Sequence, residues 1–167
     1  MTSCFLYRAL LPAWAFVPLS GEGAAQNGGR WNRKGIKALY LAADPMTAVS
    51  EYNQDFQFRP VTLAQYRLSQ ARIFDLTSHD SLTELALTDA IHAAPWRALA
   101  LESREPPQWL VADRLVDAGW HGAWFPSAVS ARGRCIVLWR WNEKDGCTLQ
   151  VVDQDNRLPL DQSSWQG

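Results

Sequence analysis

The stretch GGRWNRKGIKALYLAADPMTAVSEY, Gly28 to Tyr52, carries more structural instruction per residue than any other part of this chain. Its KALYLAA run (Lys37 to Ala43) has the composition of a short strand. Alternation puts Ala38, Tyr40 and Ala42 on one face and Leu39 and Leu41 on the other. Asp44 and Pro45 then start a helix, since aspartate is a good N-cap and proline is harmless at the first helical position, where its missing N–H would have no intrahelical partner. At helical spacing Ala48, Glu51 and Tyr52 share one face, and Met46 and Val49 a neighbouring one. Ahead of the strand, the Gly28–Gly29 pair frees the backbone for positive φ or close approach to a ligand. Arg30 beside it offers a planar fork of donors suited to phosphate or carboxylate. Trp31 and Asn32 add a stacking face and an amide. The same five residues also suit a tight turn whose arginine pairs with a surface acid, and the sequence leaves both readings open.

Working outward, CFLYRAL (Cys4 to Leu10) is a strand, and Leu11 to Gly29, with two prolines and several glycines, is a long surface loop. After the first helix, PVTLAQYRLS and ARIFDLT are strands, and Ser81 to Leu101 is less regular and helical. PPQWLVADRLVDAGW is a second helix. Pro107 opens it, Trp109, Leu110, Leu115 and Val116 form its apolar stripe, and Gly119 closes it at C′. GAWFPS, RCIVLWRW and TLQVVD supply three more strands. Strands and helices mix without βαβ alternation, which gives an α+β class. The 167 residues fit a single domain, residues 1–167, with a full core.

Composition excludes several functions. A net charge of −1 gives no electrostatic reason to expect nucleic acid or an anionic membrane. Cys4, Cys135 and Cys147 are odd in number and show no metal-like spacing with His79, His92 or His121, which predicts no metal site and a reducing, cytoplasmic location. The apolar opening lacks a basic start, carries Arg8 mid-run and is broken by Pro12 and Pro18, unlike a secretory leader. Nothing is long and apolar enough to span a bilayer. Nine tryptophans are many for this length; Trp14, Trp96, Trp109 and Trp165 suit either a flat contact surface or the core.

Glu51 is either an inward carboxylate, costly unless paired or used, or a solvated glutamate on the outer face. Tyr40 fits a half-buried strand tyrosine as well as a site residue. Ser127, following Pro126 at a strand end, fits a pocket rim or a turn. No nucleophile elbow, Walker loop or dinucleotide-fold glycine pattern is present.

Taken together, YRAL (Tyr7 to Leu10), GEGAAQNGGRWNRKG, ALYLAADPMTAVSEY, FPSAVS and CIVLWRW resemble the RES domain, the toxin half of bacterial toxin–antitoxin systems named after an arginine, a glutamate and a serine. The central block is the specific part: a GGRWN element, a strand tyrosine, and a glutamate eleven residues after it. The resemblance implies an ADP-ribosyltransferase-like fold, a split mixed or antiparallel sheet with flanking helices around an NAD+ cleft. It implies an enzyme that consumes NAD+ as substrate, needs no further cofactor, and hydrolyses it, phosphorolyses it or passes ADP-ribose to a protein. A non-catalytic nucleotide-binding module is the other class of function compatible with these residues. Carried over residue by residue, Arg30, Tyr40 and Glu51 fall in the catalytic set, and Tyr7, Arg8, Gly29, Asn32 and Ser127 bind NAD+, with Ser130 a second candidate for the serine. The implied roles are Arg30 and Arg8 on the diphosphate, Tyr40 or Tyr7 stacked on nicotinamide, and Glu51 beside the ribose. The implied partner is an antitoxin with a DNA-binding helical part and a segment reaching into the pocket, with which the chain forms a hetero-oligomer; no direct nucleic-acid contact and no membrane are implied. Residues 53 to 106 contribute nothing to the resemblance.

Overall fold

In the computed structural model, residues 3–54, 58–144 and 147–163 are described. Strand β1 (Ser3–Leu10) leads through a 3-10 turn (Pro12–Trp14) to helix α1 (Glu22–Asn27), β2 (Leu39–Ala42) and α2 (Pro45–Tyr52). Next come β3 (Thr62–Ser69), β4 (Ile73–Asp75), and the short helices α3 (His79–Glu84), α4 (Ala90–Ala93) and α5 (Trp96–Leu101). Helix α6 (Pro107–Asp117), β5 (Gly122–Pro126), β6 (Arg134–Leu138) and β7 (Thr148–Val152) follow. The Leu11–Gly29 stretch is therefore not a bare loop: α1 occupies its end, and its C-cap Gly28 donates to the Ala24 carbonyl.

Among the described residues the strands form one mixed sheet in the order β4-β5-β6-β2-β1-β3-β7. Only β4 and β5 run parallel. The α+β class and its flanking helices are as the sequence indicates. The sheet is split at its middle. β1 pairs with β3 along its whole length, from Ser3 opposite Ser69 to Leu10 opposite Thr62, but meets β2 at a single register pair, Tyr7 opposite Ala42. Beyond that pair the strands diverge, and α2 packs across the gap against β1, β2 and β3.

Alternation along β2 divides the core as the pattern requires. Ala38, Tyr40 and Ala42 join Trp31, Phe125 and Val137 on one face, while Leu39 and Leu41 join Leu6, Tyr66 and Ile136 on the other. Helix α2 begins at the expected cap: Asp44 Oδ1 accepts from the Thr47 N–H at 2.8 Å, and Oδ2 from the Thr47 hydroxyl at 2.7 Å. Those two donors hold the Asp44 carboxyl below its ordinary pKa.

Helix α6 is rolled relative to its predicted stripe. Gln108, Val111, Ala112 and Leu115 face inward, while Leu110 is 48% exposed. The cause is Gln108, whose buried amide donates to the Ile91 and Ala94 carbonyls at either end of α4 and so turns that edge toward the core. Gly119, with φ of 79°, does end the helix at C′. Of the surface tryptophan candidates, Trp14 is 55% exposed and Trp96 and Trp109 are partly buried; Trp165 lies outside the described residues.

Candidate active site

Glu51 sits in the last turn of α2, on the face shared with buried Ala48, and faces inward across the split in the sheet. Its Oε1 accepts three donors: the Ser127 hydroxyl at 2.6 Å, the Ala128 N–H at 3.0 Å and the Cys135 thiol at 3.8 Å. Oε2 accepts from the Gln54 amide at 2.7 Å. The loop after β5 is shaped for this. Ser127 Oγ also accepts the Ser130 N–H at 3.0 Å, and the Ser127 N–H reaches the Gly133 carbonyl at 2.9 Å. Gly133 is needed there because a Cβ would lie 2.7 Å from Thr47 Oγ1, so only a glycine lets the loop close onto α2. The serine hydroxyl beside Glu51 therefore belongs to Ser127, and Ser130 supplies a backbone N–H. Burial pushes the Cys135 thiol up to about 12, reinforced by the Glu51 charge and hydrogen bond, so the sulfur stays a protonated donor.

The GGRWN element is a tight turn, closed by the Gly29 N–H on the Asn32 carbonyl at 2.9 Å. Its centre is Tyr40. The phenol accepts the Trp31 N–H at 2.9 Å and donates to Asn32 Oδ1 at 2.7 Å. Burial raises the Tyr40 pKa well above the usual phenol range, so it acts as a neutral hydroxyl. Gly29 makes room for it: a Cβ there would lie 2.5 Å from the Tyr40 oxygen. Asn32 is 2% exposed and spends its Nδ2 on the Ala24, Arg33 and Ile36 carbonyls. Its predicted contact with substrate is thus corrected: the amide is a knot inside the loop, with no donor left for a ligand. Gly29 likewise offers its N–H to Asn32 and its carbonyl to Trp109 Nε1 at 2.9 Å, so its close approach is to Tyr40.

Arg30 behaves differently from its neighbour Arg33. The Arg33 guanidinium pairs with Glu105 and, at 2.6 Å, with Asp113. Among the described residues the Arg30 guanidinium has neither hydrogen bond nor ion pair; its carbon lies 5.9 Å from the Phe125 ring centroid. The turn that could have paired its arginine with a surface acid does so through Arg33 and leaves Arg30 free to face the cavity.

That cavity, of about 940 Å³, opens where β1 and β2 part. Its size lies in the range of small-molecule sites. Tyr7, Gly29, Arg30, Tyr40 and Glu51 line it, and Ser127 stands behind Glu51 rather than in the wall. Tyr7 contributes its ring, with its hydroxyl accepting from Gln65 at 3.1 Å. Arg8 borders the cavity, but its side chain follows the even-numbered residues of β1 to the other sheet face. There it donates to the Pro18 carbonyl at 3.3 Å and bonds the Tyr66 hydroxyl. Burial lowers its pKa and Tyr66 offsets part of that. The expected pairing of Arg8 with Arg30 on one diphosphate is corrected by strand parity: neighbouring residues 7 and 8 cannot both point into one cleft.

Several wall residues were not legible in the sequence. Phe125 and Cys135 come from β5 and β6, and His92, Trp96, Arg97 and Leu101 from the α4–α5 region. His92 donates Nε2–H to the Leu76 carbonyl at 2.9 Å, and burial lowers its pKa, keeping the ring neutral.

The RES domain family matches residues 5–161 of the chain. A protein named Toxin Res from Yersinia enterocolitica is 37% identical over 70 residues, 42% of this chain and 45% of that one, so the match spans under half of that relative. In a crystal structure of the M. tuberculosis MbcT–MbcA toxin–antitoxin complex, a chain 22% identical superposes with a TM-score of 0.63, covering 90% of this chain and 84% of that one. The chain described here belongs to the RES domain family.

Proposed function

We propose that this RES-domain protein is the toxin of a toxin–antitoxin pair, acting in the bacterial cytoplasm by cleaving the nicotinamide–ribose bond of NAD+. The observation that carries the reading is Glu51: a carboxylate fixed by the Ser127 hydroxyl, the Ala128 N–H and the Cys135 thiol on one oxygen, at the wall of a cavity whose other charged groups are arginines. The name of the Yersinia relative and the complex formed by the M. tuberculosis neighbour support the toxin role.

The chemistry suits these groups. Breaking the C1′–N1 bond sends its electron pair to the pyridinium nitrogen, so nicotinamide departs neutral and needs no general acid. The ribose turns cationic, as in glycoside cleavage. A carboxylate held in one orientation stabilises that charge without reorganising and positions the incoming acceptor through the ribose hydroxyls. Arg30, without an acid partner, neutralises the diphosphate. The Tyr7 and Tyr40 rings flank the nicotinamide, and the Tyr40 hydroxyl holds the Arg30 turn in place. With water as acceptor the products are ADP-ribose, nicotinamide and a proton. An antitoxin that covers the cavity mouth silences the enzyme.

The test is purified chain incubated with NAD+ labelled in the adenosine half. Release of nicotinamide with free ADP-ribose, abolished in Glu51→Gln and by added antitoxin, is the expected result. A labelled protein band in lysate without free ADP-ribose would redirect the reading to protein ADP-ribosylation. Intact NAD+ with folded enzyme in both settings would overturn it.

A further inference from the structure

A diphosphate carries two negative charges, and the fold sends the Arg8 side chain to the far face of the sheet. Arg30 is then one cation for two phosphates unless another reaches in. Besides Arg8 and Arg30, one more arginine lines the cavity among the described residues: Arg97, in the first turn of α5. Like Arg30, it has no acid partner among the described residues. Its guanidinium lies 5.3 Å from the ring centroid of Trp96, which also lines the cavity. An arginine packed on an aromatic face is held ready while its N–H edge remains open.

Folding does not account for this pair. No residue of α5 is fully buried, and Leu101 at its end is 82% exposed. The segment before it is firmly anchored. Gln108 fixes both ends of α4, and His92 is tied to Leu76, with its ring 6.0 Å from that of Trp31, beside Arg30. This wall of the cavity thus begins at His92, against the Trp31 that follows Arg30, and continues along the chain to Trp96 and Arg97. Among the described residues no aromatic ring stacks on the indole, and a flat face of that kind stacks a purine.

We propose that Trp96 and Arg97 form the subsite for the adenosine diphosphate half of the dinucleotide, Arg97 on the diphosphate and the indole on the purine. The proposal rests on the NAD+ reading above and extends it to residues from the part of the chain without family motifs.

ADP, titrated calorimetrically into the purified chain, probes the subsite without requiring catalysis. Wild type binds it; Arg97→Ala and Trp96→Ala bind it roughly 10- to 100-fold more weakly, with unchanged circular dichroism because neither side chain is in the core. In kinetics, KM for NAD+ rises by a similar factor, whereas KM for nicotinamide mononucleotide, which has no adenosine and one phosphate, moves less than about threefold. Arg97→Lys, keeping charge but losing the fork, falls between. Wild type that ignores ADP, or equal ADP affinity in wild type and both variants, overturns the subsite. If ADP binding weakens as expected while NAD+ stays uncleaved, the cleavage reading falls and the subsite stands. If NAD+ is cleaved with one KM in all three proteins, the reverse holds.

Discussion

Ser127→Ala is the substitution whose consequences follow most directly from the geometry. The serine hydroxyl donates to Glu51 Oε1 at 2.6 Å and stands behind the carboxylate rather than in the cavity wall. It is a positioning residue, acting through Glu51. A hydrogen bond to a charged group contributes about 1.5–3 kcal/mol, and about 1.4 kcal/mol corresponds to a factor of ten. The loss is bounded from above, because the Ala128 N–H and the Cys135 thiol still hold the same oxygen. The Val129 and Ser130 N–H groups, which lose an acceptor in Ser127 Oγ, lie on a partly exposed loop where water replaces it. kcat/KM for nicotinamide release should therefore fall by about 10- to 100-fold, with Tm lower by roughly 3–12 °C for a domain of this size. Glu51→Gln, which removes the charge itself, should cost at least about 10²- to 10³-fold. The decisive measurement is the double-mutant cycle: in the Glu51→Gln background, Ser127→Ala should cost less than about threefold, since the interaction it breaks is already altered. A full 10- to 100-fold loss in that background would mean that the serine meets substrate directly. Wild-type kinetics in the single variant would mean that the carboxylate needs no such anchor.

Four further substitutions probe the scaffold and the cavity. Gly29→Ala places a Cβ 2.5 Å from the Tyr40 oxygen and 2.6 Å from Asn32 Oδ1, so overpacking of about 1–3 kcal/mol should lower Tm by several degrees in a thermal melt; an unchanged melt would refute the close approach. Arg8→Met removes the bonds to Pro18 and Tyr66 and should destabilise by about 1–3 kcal/mol in urea. Its KM for NAD+ should rise less than about threefold, against roughly 10- to 100-fold for Arg30→Met; equal rises would return Arg8 to the diphosphate. The Cys135 thiol, raised to about 12 in the fold, titrates near 8.5 in the unfolded chain, so the unfolded state loses its proton first. Its contribution to stability is therefore intact below about pH 8.5 and drains away as pH rises toward 12. Wild type should lose stability faster than Cys135→Ser across that window in urea titrations, and parallel curves would contradict the buried thiol.

The parts of this structure that were legible in the sequence are those governed by local rules. The Asp44–Pro45 start of α2 and the alternation along β2 need only neighbours within a turn or a strand, whereas helical spacing put Glu51 on the Ala48 face without deciding whether that face turns inward. Arg8 shows where resemblance outran such a rule: strand parity, available from YRAL alone, separates it from Tyr7. Asn32 was misassigned for a different reason. Its partners, the Ala24 and Ile36 carbonyls and the Tyr40 hydroxyl, are brought to it only when the loop closes. Gln108 is harder still, since a polar residue one place after Pro107 reads as solvent-facing until the two carbonyls at the ends of α4 are seen to need its amide.

The split sheet explains why the site requires residues from so much of the chain. A continuous β1–β2 ladder would fill the space beside Ala42 with paired backbone; one register pair, Tyr7 with Ala42, holds the halves together and leaves the rest open. An open gap exposes backbone and apolar side chains that must be walled, and here α2, the Gly28–Asn32 turn and the α4–α5 segment supply the walls. Each wall then brings one kind of group. α2 contributes the acid, the turn an arginine without an ion-pair partner among the described residues, and α5 an arginine on an indole that the core does not require. An acid lining the same cavity as unmatched cations would be expected to collapse onto one of them. Glu51 does not, because the Ser127, Ala128 and Gln54 donors saturate it locally. The charges are thereby kept apart, each available to a ligand that is cationic at one end and anionic along its middle.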